Sequence, residues 1–239
     1  MNYYFITGTS KGIGKALVEN LLIQEENYII GASRTCSIHH PRYQHIHLDL
    51  ANPKQVINHL PKLFRIPENA RFACLINNAG TLGEIGPMGS LEPNRLQKAY
   101  QLNTITPALL ANSFIQTFSA WQIKKKIVNI SSGAGRTPYD GWSTYCSSKA
   151  ALDMMSQVIA CEKQNASSQL HIQSIAPGIV DTLMQKEIRD TSNDRFSNRK
   201  LFLELSENNR LISPEKAASR ILNAMNESEE VLLDLYEED

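Results

Sequence analysis

Apolar residues along this chain gather in short runs of strand length, separated by longer stretches whose apolar positions recur with helical spacing. Tyr3–Thr7, Tyr28–Ser33, Ile127–Ile130 and Leu170–Ala176 are rich in aromatic and β-branched residues, and Phe72–Ile76 is apolar throughout, as a central parallel strand covered on both faces requires. His45–Leu50 alternates and ends at Asp49 before a Pro-initiated helix near Asn52-Pro53, and Glu230–Tyr236 reads as a closing strand. Between these runs the spacing predicts helices over Lys15–Gln24, about Pro93–Phe118, Ser143–Cys161 and Pro214–Asn226, the last capped by Ser213. Pro107 should loosen or kink the second of them, and Lys124-Lys125-Lys126 reads as a solvated corner between helix and strand.

This sustained strand–helix alternation predicts a single α/β domain over residues 1–239: a Rossmann-like, doubly wound parallel sheet between two helical layers. Residues 183–210 break the rhythm with mixed charge and scattered apolar positions (Met184, Ile188, Phe196, Leu201, Phe202, Leu205). A mobile lid over a substrate pocket and an ordinary surface helix pair both have this pattern.

The strand ends carry residues that strand formation does not need. After Thr7 come Gly8-Thr9-Ser10-Lys11-Gly12-Ile13-Gly14 and then a helix. Glycines allow a tight turn and a close approach of phosphates, and the start of the helix offers free amides to a pyrophosphate. The G-x-x-x-G-x-G spacing departs from the commoner G-x-G-x-x-G, so the turn alone is a weak dinucleotide signal. Where an NAD site places a carboxylate for the ribose 2′-hydroxyl, this chain has Ser33 and then Arg34. A 2′-phosphate would pair with Ser33, Arg34 and Lys11, which favours NADPH (NADP+) over NADH; plain surface charge is the alternative. Asp49, Asn78-Ala79-Gly80 and Pro177-Gly178 follow other strands, on the edge where open α/β sheets bind ligands.

Composition narrows the partner. The 239 residues are 42% hydrophobic, enough for a full core, and 24 basic residues balance 24 acidic ones. That balance leaves no nucleic-acid footprint and points to a small molecule. Cys36, Cys74, Cys146 and Cys161 show neither C-x-x-C nor zinc spacing, so no metal is expected. The chain enters a strand at once and has no apolar run near the ~20 residues of a membrane span, which predicts a cytoplasmic protein without a membrane partner.

Candidate chemistry concentrates between Ser131 and Lys149. Tyr145 and Lys149, four apart in an Ala/Leu/Met-rich helix, stack on one face and set an ammonium beside a phenol. A free phenol, with a pKa near ~10, releases its proton poorly at neutral pH, and a neighbouring cation is expected to lower that value and fit Tyr145 for general acid or base work. Solvated helix faces carry the same pair. Ser132 ends a buried strand, so its hydroxyl would lie at the sheet's carboxyl edge. Leu82, Tyr139, Trp142 and Met184 are candidate pocket walls suited to an aryl ketone or α-diketone, or simply loop packing.

Thr7-Gly8-x-x-x-Gly12-x-Gly14, Asn77-Asn78-Ala79-Gly80, Asn103, Ser132, Tyr145-x-x-x-Lys149 and Pro177-Gly178 run in order over nearly the whole chain and resemble the short-chain dehydrogenase/reductase family. Asn129–Gly135, Pro138-Tyr139-x-Gly141-Trp142-x-x-Tyr145-Cys146 and Ala176–Gln185 resemble its sepiapterin reductase and benzil reductase branch. The resemblance implies an NADP-dependent oxidoreductase with Asn103, Ser132, Tyr145 and Lys149 as its catalytic four. It also implies a pyrophosphate at Gly8, Ser10, Gly12, Ile13 and Gly14, Val180 and Thr182 beside the nicotinamide, and Ser132 on the substrate carbonyl, with Tyr139, Trp142 and Met184 kept as the candidate walls. A homodimer or homotetramer would pair through the helices at 93–118 and 143–162. A sepiapterin-type or acyl-carrier-protein ketoreductase and a non-catalytic NADPH-binding sensor are the alternatives.

Overall fold

A computed structural model describes residues 1–164 and 169–236. Seven strands form one parallel sheet in the order β3-β2-β1-β4-β5-β6-β7. They are β1 (Asn2–Thr7), β2 (Asn27–Ser33), β3 (Tyr43–His47), β4 (Phe72–Asn77), β5 (Lys124–Ile130), β6 (Leu170–Ala176) and β7 (Leu232–Asp234). Chain order reverses between β1 and β4, paired from Asn2↔Phe72 to Ile6↔Ile76, and the crevice at their carboxyl ends is the topological switch point where such sheets bind ligands.

Alternation along the strands divides the core in two. Phe5, Ile30 and Leu75 face α2 (Pro53–Leu63) and α4 (Thr106–Thr117), where Phe64 and Phe114 sit edge-on to one another at 5.4 Å. Ile6, Ile76 and Val128 face α1 (Gly12–Leu21) and α8 (Pro214–Glu227) through Leu17, Val18, Ala218 and Ile221. Local signals set the helix starts: Asn52 Oδ1 accepts from the Gln55 amide at 3.1 Å and Ser213 Oγ from the Lys216 amide at 3.2 Å, each with Pro next in the chain. Such a cap contributes about 1 kcal/mol.

Three expectations need revision, and residues 183–210 carry the helix pair that is one of their two readings. Pairing of β3 starts at Tyr43 and ends at His47, because Asp49 accepts from the Ala51 amide at 3.0 Å and turns the chain toward α2. The lysine run is no solvated corner: it opens β5, and buried Lys125 donates to the carbonyls of Trp121 at 2.8 Å and Phe118 at 3.3 Å, while Lys126 donates to the Met225 carbonyl. The helix expected over 93–118 is divided into α3 (Pro93–Tyr100), a π-helical turn (Gln101–Ile105) and α4, and the break falls before Pro107, which sits harmlessly in the first turn of α4. Residues 183–210 form α6 (Leu183–Asp190) and α7 (Arg199–Glu207), whose Ile188, Phe202 and Leu205, with Phe196 between the helices, build a third apolar cluster over the sheet edge.

Candidate active site

The glycine turn lies at the switch point and leaves no room for side chains. Gly8 and Gly12 have positive φ (76° and 56°), the left-handed region that glycine enters without steric cost. A Cβ at Gly14 would come within 2.3 Å of the Gly8 carbonyl oxygen and 2.4 Å of Asn78 Nδ2. Thr7 and Asn78 weld this turn to the end of β4. Thr7 Oγ1 accepts from the amides of Asn78 at 2.9 Å and Ala79 at 3.0 Å, and Asn78 Nδ2 donates to the Thr7 carbonyl at 2.9 Å. The Thr182 methyl would lie 3.6 Å from a Cβ at Gly12, so the turn after β6, with Pro177, Gly178 and buried Val180, borders the same crevice.

Toward β2, Lys11 and Arg34 are exposed and Ser10 is half-buried. Ser33 is instead turned inward: its hydroxyl donates to the Thr35 carbonyl at 2.8 Å and lies 3.4 Å from Thr9 Oγ1. Any pairing with a phosphate at this edge therefore falls mainly to the two cations. Asp49 is half-buried and occupied with its own turn, its carboxylate on the Ala51 amide and its amide on Gln55 Oε1 at 3.0 Å.

Ser132 follows β5 and caps the short 3-10 turn Gly133–Gly135, accepting from the Ala134 amide at 3.2 Å. Tyr145 and Lys149 lie a turn apart on α5 (Ser143–Gln164), and only 7% and 4% of their surfaces are exposed. Lys149 Nζ donates to the Ile130 carbonyl at 2.7 Å and stands 5.7 Å from the centroid of the Tyr145 ring. Asn103, in the π-helical turn, is 1% exposed and clamps Thr81 from both sides, donating to its carbonyl at 2.8 Å and accepting from its amide at 2.9 Å. A Cβ at Gly80 would lie 3.4 Å from Asn103 Oδ1 and 3.6 Å from Lys149 Nζ, so the end of β4, the π-helical turn and α5 converge there. The four predicted catalytic residues thus share one neighbourhood.

Electrostatics in this neighbourhood depart from the simple expectation. Burial pushes the Tyr145 phenol above its ordinary value, a hydrogen bond with Ser132 draws it partly back, and the neighbouring Cys146 thiol raises it slightly. Burial also brings Lys149 down to about 8, opposed by the charge of Asp153. Burial, and not the ammonium that the spacing suggested, sets the direction for Tyr145 and favours the protonated phenol.

Leu82, Tyr139, Trp142 and Met184 belong with Tyr145 to the third cluster. Trp142 is 5% exposed, stacked on Phe196 at 4.7 Å and edge-on to Tyr145 at 5.7 Å. The sequence shows Phe196 and Phe202 only as scattered apolar positions of the 183–210 segment, with nothing to join them to Trp142; in the structure they enter its cluster. Arg195, Ser148 and Asp153 also escaped notice. Arg195 ties that segment down, donating to the Ile85 carbonyl at 2.7 Å and Glu84 at 2.9 Å. Ser148 accepts from Asn103 Nδ2 at 3.0 Å. Asp153 lies on the Tyr145/Lys149 helical face, a signal that a face-by-face reading could have used.

A family model described as short chain dehydrogenase matches residues 2–193. The chain is 35% identical over 245 residues to the benzil reductase ((S)-benzoin forming) of Bacillus cereus, with 96% of each covered, and 31% identical over 240 residues to the sepiapterin reductase of Meriones unguiculatus, with 92% of this chain and 89% of that one covered. Among solved structures, that of the KRED1-Pglu enzyme superposes with a TM-score of 0.79 at 26% identity, covering 95% of this chain and 96% of that one. Among the described residues no helix is long and apolar enough to cross a membrane. The glycine turn at the switch point is joined through Asn78–Gly80 to the neighbourhood of Lys149, Tyr145 and Ser132, and the chain is a member of the short-chain dehydrogenase/reductase family, an oxidoreductase acting on carbonyl or alcohol groups.

Proposed function

We propose that the protein is an NADPH-dependent carbonyl reductase of ketones or α-diketones, with benzil-like aromatic diketones favoured and Tyr145 as general acid. The carrying observation is the placement of Tyr145: a buried phenol hydrogen-bonded with Ser132, one helical turn from Lys149 and edge-on to Trp142, with burial favouring retention of its proton. A group that must give up a proton is useful at neutral pH only if it still has one.

When bound, the dihydronicotinamide supplies the hydride. The pyrophosphate would lie at Gly8–Gly14, where amides at the start of α1 face it, with Asn78–Gly80 and Thr182 bordering the nicotinamide half. Arg34 and Lys11, exposed with no carboxylate at position 33 to repel a 2′-phosphate, support the choice of NADPH. Ser132 donates a hydrogen bond to the substrate carbonyl, and Tyr145 protonates the oxygen as negative charge develops on it, both aimed where the transition state needs them. Lys149 holds the nicotinamide ribose and returns a proton toward Tyr145. Asn103 has its carboxamide committed to Thr81 and Ser148, which leaves its main-chain carbonyl in the π-helical turn to tether the water that resupplies Lys149.

The walls around Tyr145 support an aromatic substrate, because offset and edge-on ring contacts add to simple burial. The 183–210 segment serves as a lid, clasped by Arg195 to the Glu84–Ile85 loop and opening by release of those bonds. Exposed Ile105, Met154 and Val158 on the π-helical turn and α5 support assembly as a homodimer or homotetramer through that face, and a monomer by light scattering would remove this part of the proposal. The test of function is initial-rate oxidation of NADPH and, separately, NADH with benzil, 1-phenyl-1,2-propanedione and sepiapterin. Fast NADPH-linked reduction of the two diketones is expected; turnover with sepiapterin alone would move the substrate to a pterin, and no turnover despite NADPH binding would sink the reductase reading.

A further inference from the structure

The reaction proposed above employs two residues of one α5 face and leaves a third without a role. Asp153 lies one turn beyond Lys149 and is 4% exposed, a carboxylate withdrawn from water and tolerated only with partners. Its Oδ1 accepts from Ser174 Oγ at 2.6 Å and its Oδ2 from Arg136 Nε at 3.1 Å. Arg136 directly follows the Gly133–Gly135 turn that Ser132 caps, and its remaining nitrogens reach the Leu233 carbonyl at 3.3 Å and the Asp234 carboxylate at 3.6 Å. The turn is pressed onto α5, since a Cβ at Gly135 would come within 2.9 Å of the Lys149 carbonyl carbon.

We propose that Asp153 is a positioning residue for the reductase site, tying the Ser132 turn to α5 through Arg136 and fixing the charge on Lys149 from one helical turn away. The inference rests on the reading of Lys149 as part of that site. The groups that face Lys149 are Tyr145 and Asp153 on its own helix, the neutral Asn103 beside Gly80 and the Ile130 carbonyl of β5, with Cys146 on the Tyr145 side. Asp153 is the anion among them, and its charge favours the ammonium against burial. Arg136 masks that anion, and Asp234 in turn partly masks Arg136.

Two substitutions on one ion pair should therefore act in opposite senses. Asp153→Asn removes the anion and should release the Lys149 proton at lower pH; Arg136→Gln unmasks the anion and should hold the proton to higher pH. A merely structural tie would slow both variants without moving that proton. The experiment is a pH titration of the Lys149 Nζ signal in the full chain labelled with 15N-lysine, run beside the pH dependence of NADPH-linked benzil reduction. The expected result is a midpoint lowered by about one pH unit in Asp153→Asn and raised in Arg136→Gln, with the alkaline limb of kcat following each. Coincident midpoints, or shifts of the same sign in both variants, would overturn the proposal. Should Asp153→Asn fail to fold, Arg136→Gln, at a partly solvated side chain, decides alone: an upward shift supports the proposal and an unmoved midpoint overturns it. Opposed midpoint shifts in a protein that reduces no carbonyl would uphold the electrostatic link and dismiss the reductase reading instead.

Discussion

Replacing Lys149 by Met should abolish turnover and change stability in a manner that depends on pH. The amine, normally near 10.5, is brought to about 8 by burial, so the folded protein carries a charge it would shed more readily than the unfolded chain does. Below pH 8 Lys149 is protonated in both states and the folded state bears the whole cost, about 3 kcal/mol at 1.36 kcal/mol per pH unit. Between about 8 and 10.5 the folded state has lost the proton and the unfolded state still holds it, so the cost fades as pH rises. The variant has no such cost, but it leaves the Ile130 carbonyl, now bonded at 2.7 Å, without a donor, a loss of about 1–3 kcal/mol at every pH. The unpaired carbonyl cancels in a comparison across pH. Urea unfolding of parent and variant at pH 7 and pH 9.5 should show the stability difference moving by about 2 kcal/mol in favour of the parent at the higher pH. A difference that stays constant between the two would refute the reasoning that burial governs this amine.

Tyr145→Phe keeps the ring packed against Trp142 and removes only the acid, so NADPH binding should survive while kcat falls at least ~100-fold; near-normal turnover would dismiss Tyr145 as proton donor. Arg34→Ala should weaken NADPH by roughly 10- to 100-fold, the range for a lost charge-assisted hydrogen bond, and leave NADH unchanged, as read by fluorescence titration; equal weakening of both would remove Arg34 from the 2′-phosphate. Gly14→Ala forces a methyl to within 2.3 Å of the Gly8 carbonyl oxygen, and a stability lower by about 1–3 kcal/mol, read from urea unfolding, is expected with loss of NADPH binding. An alanine variant of parental stability would show that the turn can yield.

What could be read in advance was whatever is decided within a few residues. Leu170–Ala176 is a strand with the predicted limits, and the Pro-initiated helix after Asn52 and the cap at Ser213 are where sequence placed them, because apolar runs, Pro and capping side chains act locally. The glycine turn was legible for the same reason. Lys125 was not, since its burial depends on the carbonyls of Phe118 and Trp121 folding back over its amine. Nor could spacing show that Phe196, between two polar helices, stacks on Trp142, or that Ser33 turns its hydroxyl to Thr35. The environment of Tyr145 was misjudged from sequence because helical spacing reveals a neighbouring charge and says nothing about how much water both groups lose.

The π-helical turn at Gln101–Ile105 has a bearing on how this surface can change over time. A wider turn holds one residue more than an α-helical turn, so it takes up that residue with little change in the bearing of α3 relative to α4. Removing one residue there would let a continuous α-helix form with both helices close to their present bearings, but it would re-aim the residues of the turn itself and break the hold of Asn103 on Thr81. Substitutions on the outer face of α3 carry no such penalty. The turn therefore confines the constraint to its own few residues: the outward residues of α3 can drift toward new solubility or new assembly partners while the groups beside Lys149 keep their bearing.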